Sequence, residues 1–117
     1  MPKVSLNGTL LNPVDEFELT CWQSDDVADY LEIEIELEQG VTVQRQIMLA
    51  RDEEFLYFAD VVIPSEVGLI EYVCEFPLVD GIGVMEESET RELYLKNKKI
   101  QSLVIPLALP ELSLIHI

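Results

Sequence analysis

From Leu31 to Glu38 apolar and acidic residues alternate without a break: Leu31-Glu32-Ile33-Glu34-Ile35-Glu36-Leu37-Glu38. In an extended chain successive side chains point to opposite faces, so this run puts its aliphatic groups on one side and its carboxylates on the other. A helix would scatter the same aliphatic groups around its cylinder. The run therefore predicts a strand with one face on a core and the other toward water. Gln39-Gly40 supplies a tight turn, and residues 41–49 supply the hairpin partner. Arg45 is expected to sit opposite the glutamates and relieve part of their repulsion.

The same period of two continues on either side. Residues 3–10 place Val4, Leu6 and Leu10 inward; Asn12-Pro13-Val14-Asp15 turns the chain. Residues 16–23 place Phe17, Leu19 and Cys21 inward and Trp22 outward, where it reads as an ordinary surface aromatic. Residues 55–63 are nearly continuously apolar, as in a strand covered on both faces. After a break at 64–68, Ile70, Tyr72, Cys74 and Phe76 share one side, and Asp80-Gly81-Ile82-Gly83 turns. Residues 85–97 fit either a polar edge strand or a short helix capped by Ser88, and 100–117 reads as two extended segments split by Pro106 and Pro110.

About eight strands with turn signals roughly every 8–12 residues predict an all-β fold. The expected form is an antiparallel β-sandwich, immunoglobulin-like or similar, with a small β-barrel as the alternative. No linker-like composition interrupts the 117 residues, so 1–117 is expected to be a single domain, with 110–117 as a C-terminal arm.

Leu19-Thr20-Cys21 resembles the second strand of the immunoglobulin-like sandwich. Glu66-Val67-Gly68-Leu69-Ile70-Glu71-Tyr72-Val73-Cys74 resembles the Asp-x-Gly-x-Tyr-x-Cys of its sixth. The resemblance implies that Tyr72 ties a loop to its strand and that Cys21 and Cys74 lie where they could bridge the sheets. It departs from the family in two ways: Gly68 stands two residues too far from Tyr72, and the third-strand Trp is missing. It implies a sandwich and nothing about function.

Charge narrows the partners. With 23 acidic against 7 basic residues the formal net charge is −16. Such a field repels phosphate backbones and anionic lipid, which argues against nucleic acid and membranes and for a basic protein patch or a cation. No segment reaches the ~18 consecutive apolar residues of a membrane helix, and Met1-Pro2-Lys3-Val4-Ser5 lacks the apolar core of a signal peptide. Cytoplasmic location follows as an expectation, with Cys21 and Cys74 as reduced, packed thiols.

Few residues suggest catalysis. The one histidine, His116, stands next to the last residue, which leaves a nucleophile without a well-held base. Gly81-Ile82-Gly83-Val84-Met85-Glu86 begins like a dinucleotide-binding loop but carries Glu at the third glycine position. No enzyme activity and no cofactor are expected. Asn7-Gly8-Thr9 is a glycosylation sequon of the kind that arises by chance.

Three functional expectations remain. If consecutive strands run antiparallel, alternate loops gather at one end and bring together Asp25, Asp26 and Asp29, then Asp52, Glu53 and Glu54, then Asp80. That set of oxygen ligands is the candidate calcium site. The opposite end collects 12–15, 39–40, 64–66 and the basic Lys96-Asn97-Lys98-Lys99. The glutamate ladder, at about 6.8 Å per alternate residue, could instead mimic nucleic-acid phosphates, although a solvated face explains it more simply. The leading expectation is a non-enzymatic interaction or assembly module with a protein partner, acting as a homo-oligomer. Its expected interface is the apolar arm carrying Leu112, Leu114, Ile115 and Ile117.

Overall fold

The alternating run and its neighbours form an antiparallel meander in the computed structural model, which describes residues 2–86, 92–98 and 101–107. Two compact units are present, Met1–Val73 and Cys74–Ile117. The first contains β1 (Lys3–Leu6), β2 (Thr9–Leu10), β3 (Glu18–Ser24), β4 (Ala28–Glu36), β5 (Thr42–Ala50), β6 (Leu56–Ile63) and β7 (Ile70–Val73). The second contains β8 (Gly83–Glu86), β9 (Leu93–Lys96) and β10 (Gln101–Val104). The fold is all-β, every strand pair is antiparallel, and there is no α-helix among the described residues.

In the first unit the strands order as β3-β4-β5-β6 in one sheet and β2-β1-β7 in the other. Both orders are open, so neither described sheet closes on itself as the barrel alternative requires. The expected hairpin is present, with its strands in register from Ala28↔Ala50 to Glu36↔Thr42 and joined by a 3-10 turn at Glu38–Gly40. Gln39 and Gly40 both adopt positive φ there, and the Leu37 N–H closes the loop on the Val41 carbonyl at 2.8 Å. Ile35, Leu37, Val41 and Val43 pack with Val4, Leu6 and Leu11 into one buried cluster, against which Phe17, Val62 and Ile70 rest. The alternation of 31–38 thus defines the core wall.

Five expectations are corrected. Asn7 and Gly8 both have positive φ (50° and 84°), the geometry of a two-residue type I′ hairpin. The turn splits 3–10 into β1 and β2 and faces Leu10 outward with its partner Ser5, leaving Leu11 to enter the core. In β3, Leu19 pairs with Ile33 and Cys21 with Glu32, so Thr20 is an extra residue, a β-bulge. Beyond it the parity inverts: Cys21 shares the face of Glu32, and Trp22 shares the face of Leu31. The thiols of Cys21 and Cys74 are only half-buried, not packed in the core.

Arg45 pairs with Ile33 and Asp60 and therefore lies on the apolar face, not beside the glutamates. The run 55–63, expected to be covered on both faces, holds β6 at the edge of the sheet among the described strands, with Leu56, Val61 and Ile63 exposed.

The second unit is a three-stranded sheet, β10-β9-β8. Gly81 turns the chain at φ 91° just before β8. The 85–97 stretch contributes strand at both described ends, β8 paired with β9. Ser88 lies outside the described residues.

Candidate functional site

Directly opposed residues of an antiparallel pair share a face, so the register of the four-stranded sheet sorts its side chains. On one face the rows run, from the covered end, Ile35-Val43-Val62, then Leu19-Ile33-Arg45-Asp60, then Trp22-Leu31-Ile47-Phe58, then Ser24-Asp29-Leu49-Leu56. The first row belongs to the core shared with β1 and β7.

The second row carries a buried ion pair. Arg45 donates from Nε and Nη2 to the two carboxylate oxygens of Asp60 at 2.9 and 3.0 Å. The Asp60 side chain is 2% exposed, so the bidentate geometry is what makes its burial tolerable. Tyr72 donates its hydroxyl to Asp60 Oδ2. The guanidinium also lies against the Phe58 and Phe17 rings, 4.7 and 5.7 Å from their centroids.

Beyond that polar row the face emerges into solvent. Trp22 is 58% exposed, Leu49 51% and Leu56 61%, with Leu31, Ile47 and Phe58 half-buried between them. Leu19, Val27 and Phe55 around the margin are exposed as well. Together they form one contiguous exposed apolar group on this face of the sheet.

The opposite face is polar. Tyr30 donates to Glu32 Oε1 at 2.6 Å, a bond that pushes the phenol up to about 12. Gln44 donates to Glu34 at 3.0 Å, and Gln46 to Gln44 at 2.9 Å. Beside this ladder a hollow of about 200 Å³ is lined by Asp15, Glu16, Glu18, Glu34, Glu36 and Thr42. Of the alternating glutamates, only Glu34 and Glu36 reach it. Glu38 instead accepts the Asn12 N–H at 2.7 Å.

The expected calcium ligands separate into different roles. Asp25 accepts the N–H groups of Ala28 and Val27 at 2.9 and 2.8 Å, bonds that hold its carboxyl below the ordinary value. Asp29 is likewise held low, first by the Ser24 hydroxyl at 2.5 Å and then by Arg51, whose Nη2 lies 2.6 Å away. The two loops that carry these groups and Asp52, Glu53 and Glu54 do meet, through the Arg51 N–H on the Val27 carbonyl. Asp26, Asp52, Glu53 and Glu54 are exposed in them, and Asp80 lies in the second unit. Among the described residues no group of three or more His, Cys, Asp or Glu side chains is placed to hold a metal ion.

At the other end the loops 12–15, 38–40 and 64–66 gather as expected: Glu38 N–H bonds the Asn12 carbonyl at 3.0 Å, and Ser65 Oγ bonds the Gln39 carbonyl at 3.0 Å. Lys96 and Lys98 belong to the second unit, and Lys99 lies outside the described residues. Leu112, Leu114, Ile115, His116 and Ile117, the expected interface arm and the histidine, also lie outside them. No described helix is long and apolar enough to cross a membrane.

Sequence reasoning missed Asp60, and it gave Tyr72 the role of tying a loop to its strand, where the hydroxyl instead bonds Asp60 on β6. The available signal was a single acid within the apolar run 55–63, since a carboxylate in such a strand needs a cation beside it. Comparison with known protein families, curated proteins and solved structures finds no match to this chain.

Proposed function

We propose that this chain is a non-enzymatic, β-sandwich interaction module that buries the uncovered half of its four-stranded sheet against a protein partner and assembles with further copies of itself. The observation that carries the reading is the contiguous exposure of Trp22, Leu49 and Leu56 beyond the Arg45–Asp60 row. A sheet that is half core and half open leaves apolar surface in water, and fully burying side chains of this size is worth roughly 1.5–3 kcal/mol each. The acid-rich remainder favours a partner whose rim is basic where it overhangs the sheet.

Trp22 is the one tryptophan, so its fluorescence reports this face alone. Quencher access to Trp22 should fall when the partner binds. Exchanging Trp22→Ser together with Leu56→Ser should abolish that binding without lowering the melting temperature. Full quencher access in the complex, with binding unchanged in the double variant, would refute the use of this face.

A further inference from the structure

β6 ends the four-stranded sheet, and no described strand pairs with its outer side. The strand contains no proline, glycine, lysine, arginine or glutamate, and its register with β5 runs unbroken from Leu56 to Ile63. Prolines, charges and bulges are the devices that keep edge strands from pairing with other chains. The opposite edge has two of them, since β3 begins on Glu18 and is bulged at Thr20. The single charge of β6, Asp60, is turned inward and neutralised by Arg45. In a protein of net charge −16 this edge is therefore an uncharged stretch of strand.

The strand is also self-complementary in one antiparallel register. With a two-fold axis through Ala59, each alanine meets its own copy, so the smallest side chain of the strand sits on the axis. Tyr57 then lies opposite Val61 of the partner subunit, Phe58 opposite the partner's Asp60, and Leu56 opposite the partner's Val62. Faces match throughout, because opposed residues differ by an even number of positions. Aromatic–β-branched and aliphatic pairs of this kind favour pairing. Moving the axis one residue, to Asp60, would set two carboxylates face to face.

We propose that a second copy of this chain adds at the β6 edge, antiparallel about Ala59, and joins two four-stranded sheets into one. This rests on the reading of the chain as an interaction module and names the edge by which it assembles with a further copy of itself.

Light scattering on the full chain tests it, together with two variants. The native protein should weigh twice 13.3 kDa and dissociate on dilution. Val61→Lys, which places a charge at an exposed edge position, should keep the melting profile and weaken the dimer about tenfold or more. Ala59→Cys should form a disulfide-linked dimer on mild oxidation, because opposed Cα atoms stand about 4.5–5.5 Å apart. Ile63→Cys and the native protein should not link. A native protein that stays monomeric at every concentration overturns the proposal and leaves the sheet face to a different partner. A dimer that survives Val61→Lys and does not cross-link through Ala59→Cys overturns the β6 edge while keeping the interaction module.

Discussion

Arg45 and Asp60 face each other across β5 and β6, two hydrogen bonds joining guanidinium to carboxylate at 2.9 and 3.0 Å between two rows of aliphatic and aromatic groups. Desolvation opposes such a pair, and attraction offsets it only while both partners are present. Arg45→Met should therefore destabilise the protein by about 3–5 kcal/mol, leaving the Asp60 carboxylate buried and uncompensated. Tyr72→Phe removes a weaker, partly exposed bond and should cost about 1.5 kcal/mol. Combining Arg45→Met with Asp60→Leu should restore most of the lost stability. Urea unfolding of the four proteins checks the order; a double variant no more stable than Arg45→Met would refute the coupling.

Two of the turns that need positive φ differ in their surroundings. Gly8 has φ 84° and nothing within 4 Å of where a Cβ would stand. Gly40 has φ 69°, and its Cβ would come within 2.8 Å of Ser65 Oγ, which bonds the Gln39 carbonyl. Gly8→Ala should cost about 1–2 kcal/mol, the left-handed penalty alone. Gly40→Ala should cost more, because Ser65 must also move. Gly40→Ala combined with Ser65→Ala should recover part of the difference, as thermal melts will show.

The strand pattern was legible wherever the period of two ran undisturbed. Leu31, Ile33, Ile35 and Leu37 share one face as the alternation requires, and the loops around Asn12, Gln39 and Ser65 gather at one end. Local insertions hid the rest. One extra residue, Thr20, reverses the facing of Cys21 and Trp22, and a count of alternate positions has no means of locating it. Asn7-Gly8 is a strong hairpin signal that the alternation of 3–10 overrode. The exposed half-face was not legible at all. Leu31 reads as part of a core-facing run and Phe58 as part of a covered strand, and only the three-dimensional extent of the covering sheet decides which rows it reaches.

Tyr30 should titrate late. Its hydroxyl donates to Glu32, and ionising it would lose that bond and set two negative charges together, which raises the phenol to about 12. A folded value above the unfolded one means that the interaction contributes fully below about pH 10 and is lost as pH rises through the folded value. Ultraviolet titration of tyrosinate should show one group ionising later in the native protein than in Glu32→Gln. Identical curves would place the Tyr30 hydroxyl in water.

Carboxylate repulsion should set the salt response. Glu18 lies directly opposite Glu34, and both line the hollow with Asp15, Glu16 and Glu36. Like charges directly opposed on a sheet destabilise it by roughly 0.2–1 kcal/mol. Folding brings these groups closer than an expanded chain holds them, so screening should help the folded state more than the unfolded one. At physiological ionic strength the screening length is about 8 Å, comparable with the spacing of alternate residues along a strand. The melting temperature should therefore rise between low and moderate NaCl. Glu18→Gln should raise it at low salt by an amount that shrinks as salt is added. The loops at 25–29 give the opposite response to acid. Asp25 and Asp29 are held below their ordinary values by the Ala28 and Val27 N–H groups and by Ser24 with Arg51. Their contribution is present above the unfolded carboxylate value, near pH 4, and disappears as pH falls through the folded values. Glu18→Gln should thus reduce the salt slope, and Asp29→Asn should flatten the acid limb of the stability curve. A melting temperature flat in NaCl, or a Glu18→Gln effect independent of salt, would show that the hollow's carboxylates do not repel one another.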